Sequence, residues 1–71
     1  MIYEIVEKYK REFPDTLLKR GSLLAIFGMW RYEGQGRMLE YLQFLYDIGI
    51  ITAHEMSRLF DLAEGEMTDD R

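Results

Sequence analysis

Apolar residues recur at helical spacing along nearly the whole chain, and four amphipathic segments account for them. Over residues 2–13, Ile2, Ile5, Val6, Tyr9 and Phe13 fall on one side, with Glu4, Glu7, Lys8, Lys10, Arg11 and Glu12 on the other, which predicts a first helix. Glu4–Lys8 and Glu7–Arg11 are four apart with the acid first, the orientation worth about 0.3 kcal/mol per pair on a helix surface. Pro14 ends this helix, because the residue before a proline is pushed out of the helical region.

A second helix is predicted over 16–32, with Asp15 or Thr16 accepting hydrogen bonds from the free amides of its first turn. Gly21 and Gly28 each cost about 1 kcal/mol against Ala inside a helix, so a break at Gly21 with Ser22 capping a fresh start is the alternative. A strand fits less well: Leu23 to Trp30 shows no alternation and contains one β-branched residue, Ile26. Glu33-Gly34-Gln35-Gly36 follows as a turn.

The third helix, over 37–48, centres its apolar side on Met38, Leu42 and Leu45, flanked by Leu39, Tyr41, Tyr46 and Ile48. Its polar side is Arg37, Glu40, Gln43 and Asp47, interrupted by Phe44. Gly49 sits where a left-handed C-terminal cap is wanted, with Ile50 placed to fold back on Leu45. Thr52-Ala53-His54-Glu55 then has the form of a capping box, in which the Thr hydroxyl accepts from the Glu amide while the Glu carboxylate reaches back to the Thr amide. Ile51 and Met56 are spaced as a hydrophobic staple. Met56, Leu59, Phe60 and Ala63 continue as the inner stripe of a fourth helix, over 52–64 and ending near Gly65. The prediction is an all-α domain over 1–65, a small four-helix bundle or paired helical hairpins, with a frayed acidic tail over 66–71.

The stretch Leu39, Leu42, Leu45-Tyr46-Asp47, Gly49, Ile51-Thr52, Glu55-Met56 and Leu59 resembles the SHOCT domain, a short C-terminal domain that ends or precedes many bacterial proteins. That family's pattern is leucines at helical spacing, an acidic residue near a glycine, then Ile-Thr, a Glu and a second apolar stripe. The match covers residues 38–63. The resemblance implies a small interaction module rather than an enzyme; the first 36 residues lie outside it.

Composition narrows the function further. A chain of 71 residues, 48% apolar and 31% charged, holds one small domain. Folding at this size hides only about 60% of the unfolded surface, so the core is thin unless a partner adds buried area. Without cysteine there is no disulfide and no thiolate metal site, which suits a reducing cytosol. The longest uncharged stretch, Gly21 to Trp30, falls well short of the roughly 20 residues of a membrane span, and the acidic amphipathic start lacks the form of a signal peptide. A cytoplasmic protein is expected.

Chemistry has few residues to work with. His54, the only histidine, falls on the outer side of the capping box, and one His without Cys leaves too few ligands for zinc. The acidic tail lacks the ordered ligands of a calcium loop. Gly34-Gln35-Gly36 beside Arg37 carries only part of a phosphate-cradle fingerprint, with no strand before it. No catalytic, cofactor or metal residues are expected, and no small-molecule substrate. The net charge of −4 repels a phosphate backbone. The Gly49 hairpin also departs from DNA-reading helix-turn-helix spacing: Leu45 stands where a small residue is usual, and Glu55 where an apolar one is. Mimicry of DNA would need denser carboxylates, because Lys and Arg interrupt every acidic run but the last.

What remains is apolar excess. Drawn as a helix, residues 17–32 carry Leu23, Ile26, Phe27 and Trp30 on one face, and Gly21, Ala25 and Gly28, flanked by Leu17, Leu24 and Tyr32, on the other. Small residues at this spacing let another helix approach closely. Either the helix is the buried hub of the domain, or a second subunit or partner covers one face. Phe44 poses the same choice, covered by the first helix or offered outward. The expectation is a non-enzymatic protein-interaction module, a homo-oligomer (dimer) or a partner of another protein. Its candidate interaction residues are Gly21, Ala25, Gly28, Trp30, Tyr32, Tyr41, Phe44 and Tyr46, on helix two and the aromatic rim of helix three. The rival is a nucleic-acid-associated accessory or regulatory protein using the 37–64 hairpin.

Overall fold

The computed structural model describes the backbone over residues 2–68 and side chains over 2–65. It holds four helices, α1 (Ile2–Glu12), α2 (Arg20–Glu33), α3 (Gln35–Asp47) and α4 (Ala53–Thr68), and no strand among the described residues. Their inward stripes meet in one core: Ile5, Val6 and Tyr9 from α1, Leu23, Ile26 and Phe27 from α2, Met38, Leu42 and Leu45 from α3, and Leu59, Leu62 and Ala63 from α4. Helix α2 packs against all three others, whereas no described Cα of α1 comes within 8 Å of one in α3. The hub role of α2 is thus met by one face alone.

The connections explain where the helix boundaries depart from the pattern. After α1 the chain makes a β-turn, with the Thr16 amide donating to the Phe13 carbonyl at 3.1 Å and Pro14 at the second position, where its fixed φ is wanted. The Thr16 hydroxyl, expected as a helix cap, accepts instead from the Leu18 amide at 3.2 Å, and Leu18 is buried in the core. This anchor holds the chain out of helix until Arg20, four residues later than the pattern predicts. Lys19 occupies the N-cap position without a side-chain cap. Neither a start at 16 nor a break at Gly21 occurs: Gly21 and Ser22 lie in the first turn, and α2 runs unbroken through Gly28.

The turn predicted over Glu33–Gly36 shrinks to one residue. Gly34, at φ 99° and ψ 164°, is both the C-cap of α2 and the N-cap of α3; its amide reaches the Met29 and Trp30 carbonyls at 3.1 Å each. That backbone conformation is essentially glycine-only. Helix α3 therefore starts two residues early, with Gly36 in its first turn.

The α3–α4 connection follows the pattern closely. Gly49 adopts φ 86°, and the paired bonds from the Ile50 amide to the Leu45 carbonyl (2.9 Å) and from the Gly49 amide to the Tyr46 carbonyl (3.1 Å) form a Schellman cap. The capping box closes in both directions, Glu55 amide to Thr52 hydroxyl at 3.1 Å and Thr52 amide to Glu55 carboxylate at 3.0 Å. Helix α4 continues past Gly65 to Thr68, since a lone glycine with no proline after it is too weak a stop. The tail expected over 66–71 thus overlaps the last turn of α4, and residues 69–71 lie outside the described part.

Side-chain pairing also crosses helix boundaries. Glu7 pairs with Arg20 of α2, and Arg20 also lies over the Tyr3 ring, 5.9 Å from its centroid. Glu12 receives both Arg58 Nε and an Arg58 terminal nitrogen, at 2.8 and 2.9 Å, which ties the end of α1 to α4.

Candidate interaction surface

Helix α2 presents its second face to solvent. Gly21 and Ala25 are exposed, and Gly28 is half-buried, yet a Cβ built at Gly21 or Gly28 would meet nothing within 4 Å. Among the described residues, no other helix uses the close approach that Gly21 and Gly28 permit. At the C-terminal end of this face stands Tyr32, 81% exposed, while Leu24 at its border leans on the core; Leu17, expected on this face, lies in the non-helical segment before Arg20 and is 66% exposed there.

A second apolar group lies on α3. Tyr41 and Phe44, three residues apart, stack with ring centroids 6.4 Å apart. Phe44 is 54% exposed, so more than half of it is open to solvent rather than enclosed by another helix. Together with Met29 of α2, Arg37 and Glu40 these rings line a cleft of about 230 Å³. Met29 thus joins the α3 aromatics to the outer side of α2. Tyr46 and Leu39 are exposed along the opposite flank of α3.

Trp30 does not belong to this surface in the way its residue type suggests. Its ring meets the edge of Phe60 on α4 with centroids 5.0 Å apart, and it leans on the core. Of the eight candidate residues, Gly21, Ala25, Gly28 and Tyr32 gather on α2, Tyr41 and Phe44 beside them through Met29, and Tyr46 on the other flank of α3.

One polar constellation is invisible to local patterning. The Tyr9 hydroxyl donates to the Glu55 carboxylate at 2.9 Å across forty-six residues, where both side chains are buried. Burial pushes the Glu55 carboxyl upward in pKa, but the Thr16 hydroxyl, the Thr52 amide, the Tyr9 hydroxyl and the Thr52 hydroxyl outweigh it and hold the group below the usual carboxylate range. Burial raises the Tyr9 phenol; Thr16 opposes that rise and the Glu55 carboxylate adds to it. The only sequence signal for this link is an aromatic hydroxyl on the inner stripe of α1. A cleft of about 350 Å³ bounded by Glu12, Phe13, Pro14, Asp15, Thr16, Thr52 and Glu55 lies beside it, and the oxygens of Glu55 already have their donors.

The other chemical readings meet occupied residues. Arg37, the cation beside the Gly34–Gly36 segment, pairs with Glu33 at 3.3 Å and Glu40 at 3.4 Å. His54 is exposed and meets the edge of Phe13 at 5.3 Å. Among the described residues, no three His, Asp or Glu groups come together for a metal ion, and no helix is long and apolar enough to cross a membrane. Neither a family model, nor a curated protein, nor a solved structure matches the chain.

Proposed function

We propose that this protein is a small, non-enzymatic protein-interaction module that acts in the cytoplasm and associates with itself. The observation that carries the reading is the exposure of the second α2 face together with the Tyr41–Phe44 pair, which leaves Tyr32 and Phe44 in water beside the thin core of a small domain. Exposed apolar groups that cluster and include aromatics mark interaction surfaces more often than isolated ones do. A closed two-fold dimer is the commonest way to cover such a surface. The SHOCT-like pattern over 38–63 falls on α3 and α4, and it supports an interaction role. The absence of cysteine suits a reducing compartment.

Sedimentation equilibrium at micromolar concentration tests the reading. The expected mass is about twice the 8.5 kDa protomer, and a single 8.5 kDa species throughout would overturn self-association. The nucleic-acid reading has less support, because Arg58 of α4 is held by Glu12 while Asp61 and Glu64 lie exposed on the same helix. Titration with random duplex DNA at two salt concentrations separates the two, since phosphate-driven binding weakens as salt rises.

A further inference from the structure

We infer that α1 is an acid-released latch: lowering the pH unfastens it from α2 and α4 while the other three helices stay packed. Each of the three polar ties described between α1 and its neighbours has a carboxylate as one partner. Glu7 pairs with Arg20 of α2, Glu12 receives Arg58 of α4 at 2.8 and 2.9 Å, and Glu55 of α4 accepts from the Tyr9 hydroxyl at 2.9 Å. The two ties to α4 are crossed, since α1 gives one carboxylate and α4 gives the other. Tyr9 and Glu12 lie one helical turn apart, as do Glu55 and Arg58, so the pairs form a two-point clasp. Protonation takes the negative charge out of both points, and a neutral carboxyl makes the weaker bond.

The groups around the clasp hold it shut at neutral pH. The Arg58 hydrogen bonds act most strongly on Glu12, and Lys8 of α1 and charged His54 of α4 add to them. At Glu55 burial works the other way, and the hydroxyls of Thr16, Tyr9 and Thr52 with the Thr52 amide outweigh it. Asp15, in the turn after α1, lines the same cleft as both carboxylates. Each carboxyl therefore sits below its ordinary pKa in the folded protein. Its contribution is complete above that ordinary value and is lost as pH falls through the folded one.

The rest of the fold is fastened by groups that do not titrate in acid. Helices α2 and α3 turn on the backbone of Gly34, α3 and α4 turn on the Schellman bonds at Gly49, and Trp30 of α2 meets Phe60 of α4. With Glu55 protonated, its amide still donates to the Thr52 hydroxyl, so α4 keeps half of its capping box. Burial of Ile5, Val6 and Tyr9 is then left to hold α1. The non-helical segment over 13–19 lets α1 swing away without unwinding α2, which begins at Arg20. Its departure bares the apolar faces of α2 and α4 that it covers.

Amide NMR spectra of the isotope-labelled full chain, titrated from neutral pH to about pH 3, read each helix separately. The amides of α1 are expected to move to random-coil positions while those of α2 and α3 stay dispersed. The double variant Glu12→Gln/Glu55→Gln carries uncharged groups at neutral pH. There the α1 amides are expected to exchange with solvent about tenfold faster or more than in wild type, with those of α2 and α3 within about twofold. Glu12→Gln alone, at a partly exposed site, is expected to show the same selectivity at smaller size and serves if the double variant does not fold. One transition in which all four helices lose their signals together, or α1 amides in these variants as protected as in wild type, would overturn the latch.

Discussion

The two connections that flank α3 both turn at a glycine with positive φ, yet only one of them adds side chains to hold the turn. Between α3 and α4 the chain adds side chains to a backbone Schellman cap at Gly49: a reciprocal Thr52–Glu55 box follows, whose carboxylate also receives Tyr9 from α1. Between α2 and α3 it uses a single residue, Gly34, with no side-chain cap on either helix. One joint spreads its hold over several groups and two distant helices; the other concentrates it in one backbone conformation. The first should therefore fail when a side chain is removed, the second when a methyl is added.

Substitutions at each joint test this contrast. Glu55→Ala is expected to have the largest effect, about 3 kcal/mol, from losing the cap and depriving the buried Tyr9 hydroxyl of its acceptor; urea unfolding measures it. A second consequence concerns acid. The folded-state pKa of Glu55 lies below the ordinary value, so its stabilising contribution is complete above that ordinary value and is lost as pH falls through the folded one. Glu55→Gln is accordingly expected to flatten the acid limb of a stability–pH curve, and an unchanged limb would mean another carboxylate governs it. Glu12, held low by its hydrogen bonds from Arg58, is the other group expected to shape that limb, and Glu12→Gln separates the two.

Gly34→Ala comes next at about 2 kcal/mol, because an L side chain is strained at this φ and ψ. The loss arises although the space around it is empty, so relief of crowding cannot restore it. Gly28→Ala should show the smallest change and the opposite sign: a gain of about 0.8 kcal/mol, read in dilute solution where the protomers are separate. A loss there would mean that Gly28 has a role within the protomer.

The same contrast explains what could be read without coordinates. The Gly49 cap and the Thr52–Glu55 box lie within five residues of their partners, and their chemistry is visible as local spacing. The start of α2 is not, because Leu18 is held by the core and Arg20 by Glu7 of another helix. The choice between Gly34 and Gly36 as the joint is equally invisible locally, since both are glycines in the same tetrapeptide and the packing of α2 on α3 decides between them. The two apolar faces of α2 are evident in the pattern, but which of them the protomer buries is a tertiary fact. Trp30 illustrates the limit: its type and position suggest an interface, and Phe60, thirty residues on, holds it edge to face.

Helix α1 closes onto α4 only across the forty-six positions that separate Tyr9 from Glu55. Bringing such distant points together carries an entropic cost that the short α3–α4 connection escapes. The order of assembly is thereby biased: the C-terminal pair can organise first and present a ready-made acceptor, and the N-terminal segment docks afterwards as the last piece of the scaffold. Pulse-labelled amide exchange during refolding should then protect α3 and α4 before α1.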